Sequence, residues 1–259
     1  MACAISVKYS ILSFKEKKLM KEVIKLIDKV VSEKRLDAHQ GLNAVLDFLI
    51  DMFDIRHYLT PHGWFEAAGK AEKEEPHLYR IMLIWIDKVA TAMENGSCLD
   101  FFGGVYEEMY QSKGKASTLG QFYTPMNICE LMARITIPNN GKISDCACGS
   151  GRTLIASASA SSFDRDNYYI GEDIDTVSVK MCALNLMIHG CKGRAIRHDT
   201  LKEPIYFDYG FEINEIRYPV RTPFYSLRKI RYLKPKEEPI KECSQSVAPT
   251  PPTQLGLFD

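Results

Sequence analysis

The half of the chain after about Gly141 alternates short strand-like segments with longer helix-like ones. The segments "GKISDCA", "NYYIGED" and "RAIRHDT" have the length and composition of strands, and the segments between them, "GRTLIASASA" and "DTVSVKMCALNLMIHG", those of helices. Strand–helix–strand–helix–strand order requires parallel strands joined by right-handed crossovers. The sequence therefore predicts an α/β fold built on a parallel sheet.

Before residue 100 the apolar residues repeat with a helical period, and Pro76 interrupts the pattern. Loops such as "TPHGWF" separate the periodic segments. The sequence predicts a helical N-terminal region over residues 1–100, with no catalytic cluster in it. Its three apolar stripes are Leu19, Val23, Leu26, Ile27 and Val30; Leu42, Val45, Leu46, Leu49, Ile50 and Phe53; and Leu78, Met82, Trp85, Ile86 and Val89.

The end of the chain, from Pro235 on, is polar and rich in proline, which predicts a disordered tail. The predicted organisation is thus a helical region over 1–100, an α/β domain over 101–234 and a tail over 235–259. The formal net charge is zero, so overall charge names no partner. Basic residues outnumber acidic ones between Arg194 and Lys241. This basic segment either faces phosphates or is an ordinary solvated surface.

The N-terminal stretch "MACAISVKYS" lacks the charged and apolar regions of a signal peptide, and the apolar run "IMLIWI" is too short to span a bilayer. We therefore expect a cytoplasmic protein. Eight cysteines are scattered through a chain of ordinary size rather than densely spaced, and they are expected to be reduced.

The stretch "DCACGSGRT", Asp145–Thr153, raises the question of a metal site or a redox pair. A structural zinc site needs four ligands, usually in two pairs. Cys146 and Cys148 are separated by one residue, no second pair follows, and the six histidines form no cluster. No metal is predicted, and the C-x-x-C spacing of a thioredoxin-like pair is also missing.

A ligand-binding loop fits this stretch better. Asp145 ends a strand, a glycine–serine–glycine turn follows, and a helix begins, so the small residues allow a ligand to approach the backbone. Glu172 ends the next strand about twenty residues on, where a carboxylate can accept hydrogen bonds from both ribose hydroxyls. This pair predicts nucleoside binding, and a plain strand-to-helix turn remains the alternative.

The same stretch resembles the D-P-A-C-G-S-G motif of adenine-N6 DNA methyltransferases, especially the modification subunits of type I restriction systems. Cys146 stands where the family has proline. The resemblance implies a Rossmann-like methyltransferase sheet, S-adenosyl-L-methionine as cofactor and DNA as partner, with site-specific adenine-N6 methylation as the activity.

Three further motifs follow the family's order, so the resemblance covers about residues 100–201. "GQFYTP", Gly120–Pro125, resembles the motif whose aromatic and threonine contact the methionine part of the cofactor; Thr124 and Pro125 also suit a helix start. The segments "YIGED" and "MCALNLMIHG" resemble the family's G-x-E strand end and the helix that follows it, which implies that Glu172 holds the ribose. The segment "HDTL" resembles the family's G-D-T-L, which implies that Asp199 accepts a hydrogen bond from the adenine amine. The implied cofactor-binding residues are Gln121, Phe122, Tyr123, Thr124, Pro125, Asp145, Ala147, Gly149, Ser150, Gly151, Arg152, Glu172 and Asp199.

The family's N-P-P-F/Y motif, which holds the target amine and stacks on the flipped base, is not found in this sequence. After Asp199 no segment has the buried apolar character of a fourth strand, and "TPFY", Thr222–Tyr225, has threonine where asparagine or aspartate is needed. No catalytic residue is assigned. Three explanations stay open: a degenerate enzyme that still binds cofactor, a second polypeptide that supplies the motif, or an unusual motif.

The final stretch "TQLGLFD" resembles the Q-L-x-L-F peptide that binds the bacterial DNA sliding clamp, with Gln254, Leu255, Leu257 and Phe258 as contacts. Two hypotheses follow: an adenine-N6 DNA methyltransferase, or a non-catalytic DNA-associated module that acts through the clamp or through a second methyltransferase or specificity subunit. A nicotinamide-dependent oxidoreductase is disfavoured, since "GQFYTP" and "HDTL" would have no role. His189 is expected to end a helix rather than to act as a catalyst.

Overall fold

A computed structural model describes residues 19–60, 62–111, 123–136, 141–163, 166–202, 206–215 and 225–232 of the chain. Within these ranges no helix combines the length and the apolar character needed to cross a membrane. The tail and the first half of the "GQFYTP" motif lie outside the described residues.

The N-terminal region is helical, as predicted. It contains helix α1 (19–34), α2 (Ala38–Met52), a 3₁₀ turn (Ile55–Tyr58), α3 (Gly63–Glu74) and α4 (Pro76–Glu94), and a further helix, α5 (Phe101–Gln111), begins directly after the predicted boundary. Asp37 and Gln40 form a reciprocal capping box at the start of α2, and Pro76 opens α4 at a position that tolerates proline. The predicted loop at 60–65 is wrong from Gly63 on, because α3 begins there.

The second half contains the predicted alternation of strands and helices. After α6 (Met126–Thr136) come β1 (Lys142–Asp145), α7 (Arg152–Ala160), β2 (Tyr168–Asp173), α8 (Thr176–Ile188) and β3 (Lys192–Arg197). The strands β1, β2 and β3 pair in parallel. Because both crossovers step in the same direction along the sheet, right-handed connections place α7 and α8 on one face. The Rossmann-like α/β fold class is confirmed.

Two further strands were not predicted. β4 (Phe207–Ile213) pairs antiparallel with β3, and β5 (Leu227–Tyr232) pairs antiparallel with β4, so the sheet order is β1-β2-β3-β4-β5. Adjacent parallel strands need a long crossover, and the short link after β3 allows an antiparallel return instead. β4 alternates apolar and polar residues rather than forming a continuous apolar run, because one of its faces is left partly exposed.

Helix α8 lies at the centre of the molecule. Twelve consecutive residues, from Val177 to Ile188, are buried, so the helix is covered on all sides. It packs against β2, β3 and β4 on one side and against α2 and α5 on the other. The Lys180 ammonium contacts Asn43 and Asp47 of α2 at 2.7 and 2.6 Å. One buried cluster therefore runs from Val23 to Leu227, and the helices on both sides of the predicted boundary at residue 100 share it.

His189 caps the C-terminal end of α8 and joins the two halves of the chain. Its Nδ1 lies 2.7 Å from the Asn185 carbonyl oxygen, and its Nε2 accepts from the Leu99 amide at 3.2 Å. Both contacts suit the neutral ring with its proton on Nδ1. Burial lowers the pKa of His189 to about 4, because the ring is almost completely removed from water.

The free energy of unfolding should depend on pH partly through the protonation of His189. Its pKa is about 4 in the folded chain and about 6.5 when unfolded, so its contribution is present above pH 6.5 and is lost as the pH falls towards 4. The loss amounts to about 1.4 kcal/mol per pH unit in that window. Denaturant titrations at several pH values between 7 and 4 give the free energy of unfolding as a function of pH. This free energy should fall less steeply with falling pH for His189→Gln than for the unaltered chain. The exposed His39→Gln variant serves as control, and equal slopes for both variants would contradict the assignment.

Candidate functional site

The glycine-rich loop between β1 and α7 adopts a conformation that requires its glycines. Gly149 has φ 52° and Gly151 has φ 81°, both in the left-handed region. A side chain at Gly151 would meet the Cys182 sulfur at 2.8 Å, and one at Gly149 would meet the Tyr123 ring at 2.7 Å. The loop is therefore packed closely between α8 and the "GQFYTP" motif.

Most of the loop's backbone N–H groups are already engaged. The Ala147 N–H donates to the Asp145 side chain at 3.1 Å. The Cys148 N–H donates to the Glu172 carbonyl at 3.0 Å, and the Gly149 N–H donates to the Asp173 side chain at 2.9 Å. The N–H of Gly151 donates to the Cys148 carbonyl at 2.7 Å. Carboxylates therefore surround this turn, and few of its amides are free, an environment that favours positive over negative charge.

The acidic residues at the end of β2 have different surroundings. Asp173 accepts from the N–H groups of Gly149 and Asp175 at 2.9 and 2.8 Å, and burial raises its pKa. The carboxylate of Glu172 accepts no hydrogen bond within the described residues; its Oε1 lies 3.7 Å from Nδ1 of His198. Glu172 is thus the β2 carboxylate that is left available for a ligand.

A cavity of about 500 Å³ opens at the ends of β2 and β3, and one of its lining residues, His198, is the neighbour of Glu172. Ile174, 69% exposed, forms part of its wall and offers an apolar surface for a flat ring. His198 is buried there, and neither ring nitrogen has a hydrogen-bond partner in the described part of the chain. The remaining lining residues are Arg197, Asp199, Lys202, Tyr206, Phe207, Asp208 and Tyr232.

Asp199 lies at the rim of this cavity. Its carboxylate is paired with the Lys202 ammonium at 2.9 Å, and the hydrogen bond to Lys202 lowers its pKa. Asp199 therefore lines the cavity, and Glu172 lies next to it, with Oε1 3.7 Å from Nδ1 of the lining residue His198. A ligand amine that bound Asp199 would compete with a lysine that is 80% exposed, and an exposed ion pair is weak.

The second half of the "GQFYTP" motif lies against the loop. The Tyr123 ring covers Gly149, and burial raises the pKa of its phenol, which therefore stays neutral. The backbone oxygen of Thr124 accepts from the Arg152 guanidinium at 3.1 Å. Helix α6 begins at Met126, one residue later than the sequence suggested, with the Pro125 carbonyl accepting from the Cys129 amide. Gln121 and Phe122 lie outside the described residues.

A buried carboxylate that sequence reasoning missed holds the loop in place. Asp100, at the start of α5, accepts from Oγ of Ser150 at 2.6 Å, Nε of Arg152 at 2.8 Å and Nδ2 of Asn185 at 2.7 Å. It also caps α5 through the Gly103 amide. Its side chain is completely removed from solvent. A residue before the predicted domain boundary thus fixes the conformation of the candidate site.

Arg152 completes this network and points into the protein. Its guanidinium contacts Asp100 and Glu107, the latter at 3.0 Å. Burial alone would lower the pKa of Arg152, but these two carboxylates raise it above its usual value. The side chain predicted to bind cofactor is therefore engaged internally. Asp100 precedes α5 and Glu107 lies on it about two turns later, so both carboxylates lie on the side of α5 that faces Arg152.

The two cysteines of the loop have different surroundings. A hydrogen bond with the Cys182 thiol, together with burial, raises the pKa of Cys148 well above its usual value. A protonated, buried thiol is a poor nucleophile and a poor metal ligand. The Cys148 side chain acts as packing under the glycine turn, while Cys146 is exposed.

Comparison with known proteins gives a consistent result. Residues 97–245 match the family described as N-6 DNA Methylase. The type I restriction enzyme MpnII methylase subunit of Mycoplasma pneumoniae is 32% identical over 117 residues, which cover 42% of this chain and 21% of that protein. The MjaIX methylase subunit of Methanocaldococcus jannaschii is 26% identical over 225 residues, which cover 82% of this chain and 38% of that protein.

Among solved structures, the methyltransferase subunit of a type I restriction-modification system from Streptococcus thermophilus matches with a TM-score of 0.36 and 16% identity. The match covers 74% of this chain and 62% of that one. The chain spans about two fifths or less of the curated relatives named above.

Proposed function

The chain belongs to the N-6 DNA methylase family, and on that premise we propose that it binds S-adenosyl-L-methionine as part of an adenine-N6 DNA methyltransferase. The cofactor carries a sulfonium methyl group that is the electrophile of such reactions. The chain's own contribution is to bind and orient this group beside DNA. We propose the same division as for the sequence: a helical region over 1–100, a cofactor domain over 101–234 and a tail over 235–259.

The observation that carries the proposal has two parts. The Glu172 carboxylate accepts no hydrogen bond within the described residues, and most backbone amides of the glycine-rich loop donate within the protein. In the proposed arrangement Glu172 accepts from the ribose hydroxyls, and Ile174 packs on the adenine ring. Asp199 accepts from the adenine amine, and the carboxylates near Gly149 favour the cationic sulfonium and ammonium groups. Buried His198 lines the cavity together with Asp199, and its two ring nitrogens have no hydrogen-bond partner within the described residues.

The same observation counts against a nicotinamide dinucleotide. A pyrophosphate needs several free backbone N–H groups at the loop, and in this chain those of Ala147, Cys148, Gly149 and Gly151 donate within the protein. The carboxylates of Asp145 and Asp173 would also repel a dianion. S-adenosylmethionine carries no phosphate and avoids both costs.

Cofactor binding should depend on Glu172. Replacing it with glutamine keeps its shape and removes the charge that strengthens hydrogen bonds to hydroxyls, a loss of about 1.5–3 kcal/mol, or about 10- to 100-fold in Kd. Isothermal titration with S-adenosylmethionine would measure this change. Glu66→Gln, an exposed carboxylate of α3, should bind as the unaltered chain does. Equal affinities for all three proteins would refute the assignment of Glu172.

DNA and a partner subunit belong to the same proposal. Relatives named as methylase subunits of type I restriction enzymes support a multi-subunit setting. Transfer of a tritiated methyl group to adenine-containing DNA, measured with this chain alone and then with a partner subunit, tests the activity. The alternative, a non-catalytic cofactor-binding module, predicts binding without transfer in both. The clamp contacts at Gln254, Leu255, Leu257 and Phe258 lie outside the described residues and stay a prediction.

A further inference from the structure

Two histidines are buried in the described part of the chain, and they differ in what their rings contact. Both ring nitrogens of His189 lie within hydrogen-bond distance of backbone atoms, the carbonyl of Asn185 and the amide of Leu99. Neither ring nitrogen of His198, which is 8% exposed, has a hydrogen-bond partner among the described residues. A buried polar group without a partner opposes folding. The fold therefore uses the nitrogens of His189 and gains nothing from those of His198.

His198 follows β3 directly, and the sheet fixes its position. Its backbone N–H donates to the Asp173 carbonyl at 2.9 Å, so its main chain is held against β2. Glu172 pairs with Ile196 in the register of β2 and β3. Because side chains alternate along a strand, His198, two residues after Ile196, lies on the same face of the sheet as Glu172. Its Nδ1 atom is 3.7 Å from Oε1 of Glu172.

The ring of His198 thus adjoins Glu172 and also lines the cavity at the ends of β2 and β3, together with Ile174 and Asp199. In the proposed arrangement Glu172 holds the ribose, while Ile174 and Asp199 hold the adenine. The base is attached to C1′ of the ribose, so the 2′-hydroxyl is the nearer of the two ring hydroxyls to the adenine. A side chain that adjoins both the ribose partner and the adenine partners is therefore placed for the 2′-hydroxyl.

The chemistry of the imidazole complements that of the carboxylate. In a neutral ring one nitrogen carries the proton and the other carries a lone pair. A lone pair on Nδ1 would repel the Glu172 carboxylate, so the proton is favoured there. Nε2 then carries the lone pair and can accept a hydrogen bond from a hydroxyl group. The ring can donate towards Glu172 on one side and bind a ligand hydroxyl on the other.

We propose that His198 determines specificity for the ribose of the cofactor: its Nε2 accepts a hydrogen bond from the 2′-hydroxyl, while its Nδ1–H faces Glu172. The inference rests on the proposed function, since it assigns the ring to the ribose of S-adenosylmethionine. The ligand class is an adenosine derivative with a free 2′-hydroxyl. A 2′-deoxy analogue lacks this donor and leaves Nε2 buried without a partner, which is the larger part of the cost of a lost hydrogen bond.

The first test measures thermal unfolding and needs no cofactor. His189→Phe loses two hydrogen bonds, so its midpoint should fall by several degrees. His198→Phe removes polar atoms that have no partner, so its midpoint should be no lower than that of the unaltered chain. His198→Leu, with a smaller side chain, separates the effect of ring size. A fall as large as that of His189→Phe in both His198 variants would show that the chain itself uses the ring nitrogens, and would overturn the proposal.

The second test is calorimetric titration with S-adenosylmethionine and with its 2′-deoxy and 3′-deoxy analogues. Loss of one hydrogen bond should raise the Kd of His198→Phe for S-adenosylmethionine by about 5- to 10-fold, whereas its Kd for the 2′-deoxy analogue should change little. Discrimination against the 3′-deoxy analogue should stay as in the unaltered chain, because Glu172 binds that hydroxyl. His198→Gln, whose amide oxygen can accept a hydrogen bond, should recover most of the affinity for S-adenosylmethionine.

The outcomes distinguish this assignment from the proposed function. If the unaltered chain binds none of the three ligands, the proposed function fails, and the role of His198 fails with it. If Glu172→Gln weakens binding of S-adenosylmethionine and His198→Phe does not, the role of His198 alone is wrong. An equal loss of affinity for all three ligands in His198→Phe would show a disturbed cavity rather than a lost contact with the 2′-hydroxyl, and would also overturn the assignment.

Discussion

Replacing Asp100 with alanine is expected to lower the free energy of unfolding by about 3–5 kcal/mol, the usual cost of leaving a buried charge without its partner. The Arg152 guanidinium would lose its contact at 2.8 Å, and Ser150 and Asn185 would lose an acceptor. Since Ser150 belongs to the glycine-rich loop, affinity for S-adenosylmethionine should fall together with stability. Urea denaturation and isothermal titration measure the two effects.

A matched control for this variant is Glu75→Ala. The Lys34–Glu75 ion pair is shorter, 2.6 Å, but both side chains are more than one third exposed. Its loss should cost less than about 1 kcal/mol, because water screens the charges. If the two variants lost equal stability, burial would not be what gives the Asp100 network its strength.

Replacing Gly151 with alanine should have a comparable effect for a different reason. The residue has φ 81°, and a Cβ atom would lie 2.8 Å from the Cys182 sulfur and 3.2 Å from its Cα. Left-handed backbone costs a non-glycine residue about 1–2 kcal/mol, and overpacking a filled core costs about 1–3 kcal/mol. Both losses should appear in the free energy of unfolding. Gly69→Ala, in a helix with open space around it, should not destabilise the chain.

Cys182→Ala separates the two causes. Removing the sulfur relieves the 2.8 Å contact and leaves the backbone strain in place. The Gly151→Ala/Cys182→Ala double variant should therefore be more stable than the sum of the single losses implies, by about 1–2 kcal/mol. Strict additivity would show that the contact with the sulfur is relieved in another way.

The parts of the fold that the sequence predicted are those with local signals. β1, β2, β3, α7 and α8 each have a pattern that can be recognised within the element, and turn residues separate them. Glu172 and Asp199 could be placed at the same edge of the sheet because the ends of neighbouring parallel strands meet there.

What the sequence did not reveal depends on contacts between distant residues. β4 is a strand because it can pair with β3, and its alternating polar residues carry no strong signal of their own. The Asp100 network joins residues 50, 52 and 85 positions apart. An isolated aspartate before a helix predicts a cap, and it does cap α5, but its three further partners follow from packing alone.

Helix α8 has a consequence for how such a chain can diverge. It is buried from Val177 to Ile188 between the sheet and the N-terminal helices, so its side chains must fit two neighbours at once. A recombination event that joined the helices of one relative to the sheet of another would have to match both faces of α8 and keep Asp100 opposite Arg152. Genetic exchange is therefore best tolerated outside this segment, and the helices and the sheet are expected to be inherited as one block.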